Sequence, residues 1–455
     1  MNIYINVEIS SRELDSKLLL AILAAARGHQ VIVGDTESFL KGVMHGVLAP
    51  GIFHTKSLTP AKQKTTLHKL LGEKGFKVTS NDEESAVEQD SFEWCAKNRF
   101  SEQTIDQAAA VFAWGPEDTN TLKKTYPKHS SKIHTTGSPR VDMWKPFFSD
   151  YWEVSKKAPL KPFLLISSNM SKAQSARSFF ELYKLKKKLG YFDRDPEVLG
   201  REFAMAAESY LKTPSFIEAI KLLCKNNIGY DIVLRPHPND SIEIWKTYLE
   251  DIPNLHIIRE GSLSAWINNA FAVMQYGCTS AVEATINKTP VIQYNNFQKI
   301  SYKVRAYKLG IQVNTLDDLL LEVNSLFKSI KIKDQKEVSE NLPSIIHEKI
   351  LLDKDELAAE KIIKVWESLD DNNISKFSNL KKYKLLLKFY KFRKLIGKLR
   401  KFFLPDKFKI NDEVKFPYLK KDDVQTCFKK IQNILGIENV KCEVLSDRTI
   451  LIKNQ

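Results

Sequence analysis

The feature that most constrains the fold is an alternation of strand-like and helix-like segments, which occurs in two successive series. In the first series, apolar runs typical of buried strands occupy residues 2–8, 30–34, 76–79, 110–114 and 132–135. Segments with helical periodicity lie between them, such as residues 11–27, which end at Gly28. Strands that alternate with helices form a parallel sheet covered on both faces. We therefore predict a Rossmann-like domain over residues 1–150.

The second series has the same character. Its strand-like runs occupy residues 163–167, 230–234, 255–258, 272–275 and 290–293. A stretch rich in Trp and Pro, residues 144–162, separates the two series and is typical of a linker. We predict an α/β fold of two Rossmann-like domains, 1–150 and 151–370, that face each other across a cleft. Ligands of such sheets bind at the carboxyl ends of the strands, so polar residues directly after each strand are the candidates for function.

Composition excludes several classes of protein. The five cysteines are scattered and form no CxxC pair, which argues for a reducing compartment and against a zinc or iron–sulfur site. We accordingly expect neither a metal nor a cofactor. The apolar stretch at residues 18–26 has nine residues, whereas a spanning helix needs about 20. Charged residues interrupt the region where a signal peptide would lie, so we expect a cytoplasmic protein.

The sharpest local pattern is Arg235-Pro236-His237-Pro238, directly after a predicted strand. Two prolines fix the backbone on both sides of His237, so the strand must stop and the loop is stiff. Asn239 or Asp240 can then cap the helix that follows. A helix start beside Arg235 and His237 is suited to phosphate. The alternative is an ordinary strand–helix turn with an incidental histidine.

A second pattern, residues 277–284, also follows a predicted strand. Gly277 permits a tight turn, and Thr279 and Ser280 offer hydroxyl and backbone N–H groups to a phosphate at a helix start. Glu283 lies in the first turn, where a carboxylate can bind ribose hydroxyls. The alternative is that Ser280-x-x-Glu283 is only a capping box.

Candidate residues in the first domain are less distinctive. Glu83 and Glu84 belong to an acidic run after a strand and are candidate catalytic carboxylates, the alternative being a solvated acidic turn. Arg12, at a helix start, could bind an anionic sugar or phosphate, unless Ser10-x-x-Glu13 merely caps that helix and leaves Arg12 exposed. Two further residues follow strands and are possible donor or acceptor contacts: Ser138 and Asn169.

In their order and spacing, the Arg-Pro-His-Pro run, the Gly-Cys-Thr-Ser-Ala-Val-Glu-Ala run and the acidic run resemble GT-B glycosyltransferases of bacterial surface carbohydrate biosynthesis. That group is related to β-Kdo transferases and polysialyltransferases, and the resemblance covers about residues 1–370. It implies a CMP-sugar held by the second domain, with His237, Thr279 and Ser280 at the phosphate and Glu283 at the ribose. Glu83 or Glu84 would act in the acceptor-side domain. One departure is Ser85, where relatives tend to have glycine.

These observations favour a metal-independent glycosyltransferase that moves Kdo or a related acidic sugar from a CMP-sugar to a surface polysaccharide or lipid-linked glycan. A His, an Arg and a helix start would stabilise the leaving phosphate, and a carboxylate would activate the acceptor or attack the sugar. The main alternative is a CDP-glycerol or CDP-polyol phosphotransferase for a cell-surface polymer. A sugar-nucleotide epimerase and a non-catalytic scaffold are further alternatives.

The positive charge is concentrated in one segment. Residues 376–410 contain 13 Lys plus Arg and one acid, so they carry +12 of the net charge of +14. A nucleic-acid-binding enzyme would spread its basic groups around the cleft, so we expect no nucleic-acid partner. Within residues 376–404, apolar side chains recur at three- or four-residue spacing: Phe377, Leu380, Tyr383, Leu387, Tyr390, Ile396, Leu399 and Phe403.

Such a helix can bind an anionic membrane surface, here the inner face of the cytoplasmic membrane. The alternative is a helix packed on the enzyme with a solvated basic face. We assign residues 371–410 to this basic amphipathic segment. Residues 411–455 form a small module of unassigned role, with a helix at 422–435 and strands at 440–445 and 449–452. Because the cleft residues all precede 370, a chain ending there is expected to transfer sugar to a soluble acceptor.

Overall fold

The computed structural model describes residues 1–85, 92–188, 192, 197–227, 229–297, 305–330, 342–370, 378–401 and 419–455, with only the backbone of Ser11, Arg305 and residues 394–401. Its strands are β1 (Asn2–Asn6), β2 (Gln30–Gly34), β3 (Ile52–Thr55), β4 (Lys77–Asn81), β5 (Ala110–Ala113), β6 (Ile133–Thr135), β7 (Phe163–Ser167), β8 (Asp231–Arg235), β9 (Leu255–Ile257), β10 (Ala272–Gln275), β11 (Val291–Tyr294), β12 (Ile311–Val313), β13 (Val440–Ser446) and β14 (Thr449–Asn454).

The helices before residue 230 are α1 (Ser10–Ala26), α2 (Thr36–Met44), α3 (Lys62–Glu73), α4 (Glu93–Arg99), α5 (Glu102–Asp106), α6 (Pro116–Thr125), α7 (Pro139–Asp142), α8 (Ser171–Gln174), α9 (Phe179–Lys188) and α10 (Glu197–Lys225). Those after it are α11 (Ile242–Tyr248), α12 (Leu263–Asn269), α13 (Ser280–Ile286), α14 (Leu316–Ile330), α15 (Ser344–Lys349), α16 (Ala358–Ser368), α17 (Leu380–Lys401) and α18 (Lys421–Leu435). Short 3-10 helices lie at Pro127–Lys132, Pro146–Tyr151 and Arg305–Lys308.

The chain divides into two compact units. Unit 1 comprises residues 1–86, 91–151 and 347–455, and unit 2 comprises residues 87–90 and 152–346. The change from unit 1 to unit 2 at Tyr151 and Trp152 falls inside the predicted linker. Each unit has its own sheet and its own cluster of buried apolar side chains.

In unit 1 the sheet order is β13-β14-β2-β1-β3-β4-β5-β6. The strands from β2 to β6 are parallel, and β14 runs antiparallel to β2 with Thr449 opposite Gly34. The chain winds from β1 to β2 in one direction and from β3 onward in the other. The strand order therefore reverses between β1 and β3, which is where doubly wound sheets open a ligand crevice.

In unit 2 the sheet order is β12-β11-β10-β7-β8-β9, and all its pairings are parallel. If the strands are numbered 1 to 6 from β7 to β12 and the sheet is read from β9 to β12, this is the 3-2-1-4-5-6 order of dinucleotide-binding domains. The order reverses between β7 and β10. The loops after β7, β8 and β10 therefore leave the same edge of the sheet, side by side.

Helix α1 shows how the sequence builds unit 1. Its apolar run from Leu18 to Ala25 is buried except for Leu23, because the helix packs on β2, β14 and the neighbouring helices α7, α16 and α18. A helix that is apolar around most of its circumference must be covered on most sides. Residues after 347 supply part of that cover.

The two predicted series of strands are confirmed as two parallel α/β sheets. Strand β3 was missed, because four residues after Pro50-Gly51 give little periodicity, yet β3 pairs with β1 at the reversal of the sheet order.

The predicted second domain, 151–370, extends too far, since residues 347–370 belong to unit 1. They are held there by contacts that include an ion pair between the buried Lys349 and Asp118, and by the Ala359 N–H, which donates to Asp142 at 3.1 Å.

The C-terminal module is part of unit 1. Helix α18 and strands β13 and β14 match the predicted elements, and β14 extends the main sheet through β2. A chain ending near residue 370 would lack two strands of this sheet, so the expected transfer to a soluble acceptor would have to come from an incomplete unit 1. Residues 371–377 and 402–410 of the predicted basic segment lie outside the described residues, as do residues 411–418 of the predicted C-terminal module.

Candidate functional sites

The loops after β7, β8 and β10 are hydrogen-bonded to one another at the reversal point of unit 2. The His237 backbone N–H donates to Ser168 Oγ at 3.0 Å, which joins the β8 loop to the β7 loop. Asn169 Nδ2 donates to the Tyr276 carbonyl at 2.9 Å, which joins the β7 loop to the β10 loop. The structure thus brings together the two patterns that the sequence singled out in this domain.

The imidazole of His237 is oriented by its own loop. The Asn239 N–H donates to His237 Nδ1 at 3.2 Å, so this nitrogen accepts and the hydrogen-bond pattern assigns the proton of the neutral ring to Nε2. The predicted cap on Asn239 or Asp240 is wrong. Helix α11 is capped by Ser241, whereas buried Asp240 accepts from Ser168 Oγ at 2.5 Å and from Trp245 Nε1 at 3.2 Å.

Arg235 is engaged with a neighbouring loop. Its two terminal nitrogens donate to the carbonyls of Glu260 at 2.5 Å and Gly261 at 2.9 Å, and the guanidinium lies 5.5 Å from the ring centre of Trp266. Burial lowers the pKa of Arg235 to about 10, although the charge of Glu283 opposes this shift. The guanidinium predicted to bind phosphate therefore supports the loop after β9.

Arg259, which sequence reasoning missed, braces the histidine loop. Its guanidinium donates to the carbonyls of His237, at 3.4 Å, and of Asp240. An arginine directly after a predicted strand, which ends at residue 258, was the available signal.

The β10 loop turns sharply at Gly277, whose φ is +64°. A Cβ there would lie 1.7 Å from the ring of Tyr307. Ser280 is the first residue of α13, is 1% exposed, and among the described residues its hydroxyl has no hydrogen-bond partner. Thr279 before it is exposed. The loop thus presents one buried and one solvated hydroxyl.

The capping-box alternative is not what forms at this helix start. The Glu283 carboxylate accepts from Ser264 Oγ, and its backbone N–H donates to the Thr279 carbonyl at 3.2 Å. The side chain of Thr279, the N-cap residue of α13, makes no capping hydrogen bond with the described residues. Glu283 itself is 3% exposed, so the residue predicted to bind ribose is a buried carboxylate that contacts a serine of α12.

Two charged residues of α10, missed from the sequence, lie behind these loops. Lys212 is 3% exposed and donates to Asn169 Oδ1 at 2.7 Å, and its ammonium is 3.9 Å from Glu208 Oε1. Burial lowers the pKa of Lys212 to about 8. The signal was periodicity, since residues 208 and 212 lie in phase with Phe216, which is buried in the core. Both amide atoms of Asn169 are thereby used within the protein.

The predicted acidic run of unit 1 is not a solvated turn. Asp82 and Glu83 are 4% and 3% exposed. Glu83 Oε1 lies 2.5 Å from Lys17 Nζ, and the side chain of Lys17 is 1% exposed. Two opposite charges at this distance form a buried ion pair, which holds α1 against the loop after β4.

Glu84 is the accessible carboxylate of the run, with 35% of its side chain exposed. It accepts from Arg99 at 2.9 Å and from Arg12 at 3.2 Å, while Arg99 also contacts Asp82 at 2.8 Å. Burial raises the pKa of Glu84, but the charges of Arg99 and Arg12 outweigh burial and lower it below the ordinary value. Glu84 is thus ionised at neutral pH.

The remaining candidates of unit 1 have structural partners. Arg12 pairs with Glu84, and the predicted capping box at Ser10 does not form, because Glu13 Oε2 accepts from the Glu8 N–H at 2.8 Å. Ser138 caps α7 by accepting from a backbone N–H at 3.3 Å.

More charged pairs lie around the reversal between β1 and β3. Lys56 contacts Glu8 at 2.8 Å and Glu13 at 3.7 Å, and Lys64 contacts Glu8 at 3.1 Å. In the part of the chain that the structure describes, no group of three His, Cys, Asp or Glu residues is arranged to hold a metal ion.

Helix α17 has two apolar faces rather than one stripe. Tyr383 and Leu387 are buried on the core of unit 1, and Leu380 packs there too, as the alternative of a packed helix predicted. On the opposite side Leu385, Phe389 and Phe392, which we call the outward face, are 69%, 54% and 62% exposed. At about 100° per residue, these three lie within one 60° arc.

Exposed basic residues flank the outward face: Lys381 and Lys388 on one side, Lys382 and Arg393 on the other. Among the described helices, none is both long and apolar enough to cross a bilayer. The outward face is therefore an apolar strip between two basic margins on a helix that is anchored by its other side.

No protein-family model and no curated protein matches the chain. Solved structures of low identity align with it. They include a putative UDP-N-acetylglucosamine 2-epimerase from Listeria monocytogenes (12% identity, TM-score 0.46, 82% of this chain and 97% of that one). The UDP-GlcNAc 2-epimerase from Methanocaldococcus jannaschii is 12% identical with a TM-score of 0.46, and the alignment covers 81% of this chain and 100% of that one. The wall teichoic acid polymerase TagF is 10% identical with a TM-score of 0.47, and the alignment covers 81% of this chain and 88% of that one. At TM-scores below 0.5, these likenesses carry no conclusion about substrate or site.

Proposed function

We propose that the chain is a metal-independent GT-B glycosyltransferase. Unit 2 binds a CMP-sugar, Kdo or a related acidic sugar, and unit 1 binds a surface polysaccharide or lipid-linked glycan acceptor. The observation that carries the proposal is the hydrogen-bonded meeting of three loops at the reversal point of unit 2, since doubly wound sheets bind nucleotides there. His237 and Ser280, the residues that the resemblance assigns to the donor phosphate, lie on two of these loops.

On the donor side, cleavage of the sugar–phosphate bond leaves negative charge on the phosphate. The Nε2–H of His237 donates to that charge, because Nδ1 is already an acceptor for the Asn239 N–H. The Ser280 hydroxyl, buried and without a partner among the described residues, is a second donor. Donors fixed before the reaction stabilise charge without reorganisation, and each contributes about 10²–10³ in rate.

On the acceptor side, we assign the catalytic carboxylate to Glu84 rather than Glu83. Glu83 is buried in its ion pair with Lys17, whereas Glu84 keeps a third of its side chain in solvent. A carboxylate with a lowered pKa is a weak base but remains ionised. Glu84 therefore suits stabilisation of positive charge on the sugar, or attack at the anomeric carbon, better than proton abstraction.

The experiment has a binding arm and a turnover arm. Thermal unfolding with CMP, CDP, UDP and GDP identifies the base, and we expect stabilisation by CMP and CDP. Transfer from CMP-Kdo is then compared between wild type, His237→Ala and His256→Ala. His256 is the control, because it contacts Asp231 at the opposite, amino end of β8. We expect His237→Ala to lose about 10²-fold in turnover and His256→Ala to lose little. Stabilisation by UDP or GDP alone would refute the donor class.

We further propose that the outward face of α17 holds the enzyme on an anionic membrane at the cytoplasmic side. Each basic group near such a surface contributes about 1 kcal/mol, and buried apolar side chains add to it. The inner face of the helix stays on unit 1, so membrane binding needs no unfolding. This placement would bring the enzyme to a lipid-linked acceptor.

Co-sedimentation with vesicles of anionic or neutral lipid tests this surface. The triple variant Leu385→Ser, Phe389→Ser and Phe392→Ser should lose binding to anionic vesicles and keep its melting temperature. The control is Phe147→Ser, which removes an apolar side chain of unit 1 that is 58% exposed and lies outside α17. Equal sedimentation of wild type and the triple variant would refute the assignment.

A further inference from the structure

We propose that Lys212 is a donor-binding residue, whose ammonium receives an anionic group of the nucleotide sugar between the loops that follow β7 and β10. The inference rests on the proposed function and extends it to a residue of α10 that was not among the candidates predicted from the sequence. The anionic group is the phosphate or the carboxylate of an acidic sugar.

The first support is position. Lys212 donates to Asn169 Oδ1 at 2.7 Å, and the other end of the same amide donates to the Tyr276 carbonyl at 2.9 Å. Asn169 follows β7 and Tyr276 follows β10, the two strands that flank the reversal point. The ammonium is therefore fixed directly beside the edge at which a doubly wound sheet binds its ligand.

The second support is unused bonding capacity. An ammonium has three N–H donors, and among the described residues Lys212 makes one hydrogen bond, to Asn169. Glu208 Oε1 is 3.9 Å away, beyond hydrogen-bond distance, and accepts from Tyr307 at 2.9 Å. Ser280, four residues after Tyr276, is likewise buried without a hydrogen-bond partner for its hydroxyl. Buried charged and polar groups left in this state favour a ligand that completes them.

The third support is the charge environment. Acidic groups approach Lys212 from its own helix, at Glu208, and from the loop after β8, at Asp240. The Cys278 thiol approaches from the loop after β10, and the ring centre of Tyr276 lies 5.6 Å from the ammonium. Burial outweighs them and lowers the pKa of Lys212 to about 8. An anion bound beside Lys212 favours its protonated form, so binding must draw a proton onto the lysine at alkaline pH.

Calorimetric titration at pH 8.5, in two buffers of different ionisation enthalpy, measures this uptake on the wild-type protein. If the bound anion raises the pKa by one unit, CMP binding takes up about half a proton. Phosphate monoesters and an ordinary imidazole titrate near pH 6–6.5, so they contribute little. Cytidine, which lacks the phosphate, should bind with no uptake.

Variants then assign the proton. Lys212→Met should weaken CMP about tenfold at pH 7 and abolish the uptake, because one pKa unit is a factor of ten. Lys212→Arg should keep the affinity within a few-fold and also abolish the uptake, because arginine does not titrate. The control Lys221→Met removes an exposed lysine from the same helix and should change neither quantity. Circular dichroism and melting temperature check that each variant is folded.

The outcomes separate this inference from the proposed function. An effect of Lys212→Met on CMP assigns the lysine to the phosphate, and an effect on CMP-Kdo alone assigns it to the sugar carboxylate. If wild type binds CMP without uptake, and the Lys212 and Lys221 variants bind CMP and CMP-Kdo equally, Lys212 is only a structural residue. If wild type binds neither ligand, the donor class itself is wrong.

Discussion

Replacing Lys17 by methionine leaves the carboxylate of Glu83 buried in unit 1 without its ion-pair partner. Glu83 is 3% exposed, its Oε1 lies 2.5 Å from Lys17 Nζ, and among the described residues its Oε2 has no hydrogen-bond partner. In Lys17→Met, therefore, the Glu83 carboxyl either takes up a proton or remains charged without the Lys17 ammonium beside it. Glu83→Gln is the reciprocal change, since it leaves the buried ammonium of Lys17 unpaired.

The magnitude follows from the geometry. Two unit charges about 3 Å apart attract by about 5–6 kcal/mol at an effective dielectric constant of 20. The free-energy cost of burying both ions offsets most of this attraction. A single variant still pays for burying the remaining ion but loses the attraction that offset that cost. Each single variant should therefore cost about 3–5 kcal/mol. The double variant Lys17→Met with Glu83→Leu should cost much less than the sum, since neither charge remains.

Peptide-resolved hydrogen exchange under mild denaturant reports the opening free energy of β1 amides in unit 1 separately from unit 2. The control is Lys69→Met, because Lys69 and Glu73 are 4.0 Å apart and mostly exposed, so its expected cost is below about 0.5 kcal/mol. Single variants at Lys17 and Glu83 that each cost less than about 1 kcal/mol would refute the reasoning. A stable Glu83→Gln that has lost turnover would restore Glu83 as a catalytic candidate.

Three further predictions concern pH, backbone strain and the sheet edge. The loss of stability caused by Glu84→Gln should be larger at pH 7 than at pH 3.5, because folding lowers the pKa of this carboxyl: its stabilisation is fully present above the unfolded pKa of about 4.3 and is lost as the pH falls through the lower folded pKa. Urea midpoints that differ by the same amount at both pH values would contradict this. Gly277→Ala should destabilise unit 2 by more than about 1 kcal/mol, because φ is +64° and a Cβ would meet the ring of Tyr307. The control Gly200→Ala, on an open face of α10, should stabilise unit 2 by up to about 1 kcal/mol, and equal melting temperatures of the two variants would refute the contrast. A chain ending at Gly436 lacks β13 and β14, so the freed edge of β2 should cause aggregation, and a monodisperse peak in size-exclusion chromatography would exclude that consequence.

The sequence predicted secondary structure correctly where a local run of apolar residues coincides with a buried strand. Runs of Ile, Val and Leu bounded by turn residues predicted most strands of both sheets, and the loops after those strands supplied the candidates His237 and Ser280. Strands β3 and β12 were missed: both are short, and a short run is recognised reliably only where it is almost wholly apolar, as in β5.

The sequence could not predict which residues from distant elements form ion pairs with the acidic run. The acidic run is neutralised by Lys17 from α1 and Arg99 from α4, which no local rule connects with Glu83 and Glu84. Lys212 was missed because a charged residue in a helix is usually solvated, although its phase placed it on the buried side. In α17 the apolar residues point in two directions, and the contacts of this helix with α2 and β13 decide which side is covered.

The pairing of β14 with β2 also fixes an order of events during synthesis. Thr449 lies opposite Gly34, so 415 positions of chain must be translated between the two partners. At about 5–20 residues per second, β2 waits about 20–80 s for its neighbour while the whole of residues 152–346 emerges and can fold. A nascent chain with an open β-strand edge for that time is a substrate for chaperones, so ribosome-bound intermediates of this protein should depend on them until the final hairpin arrives.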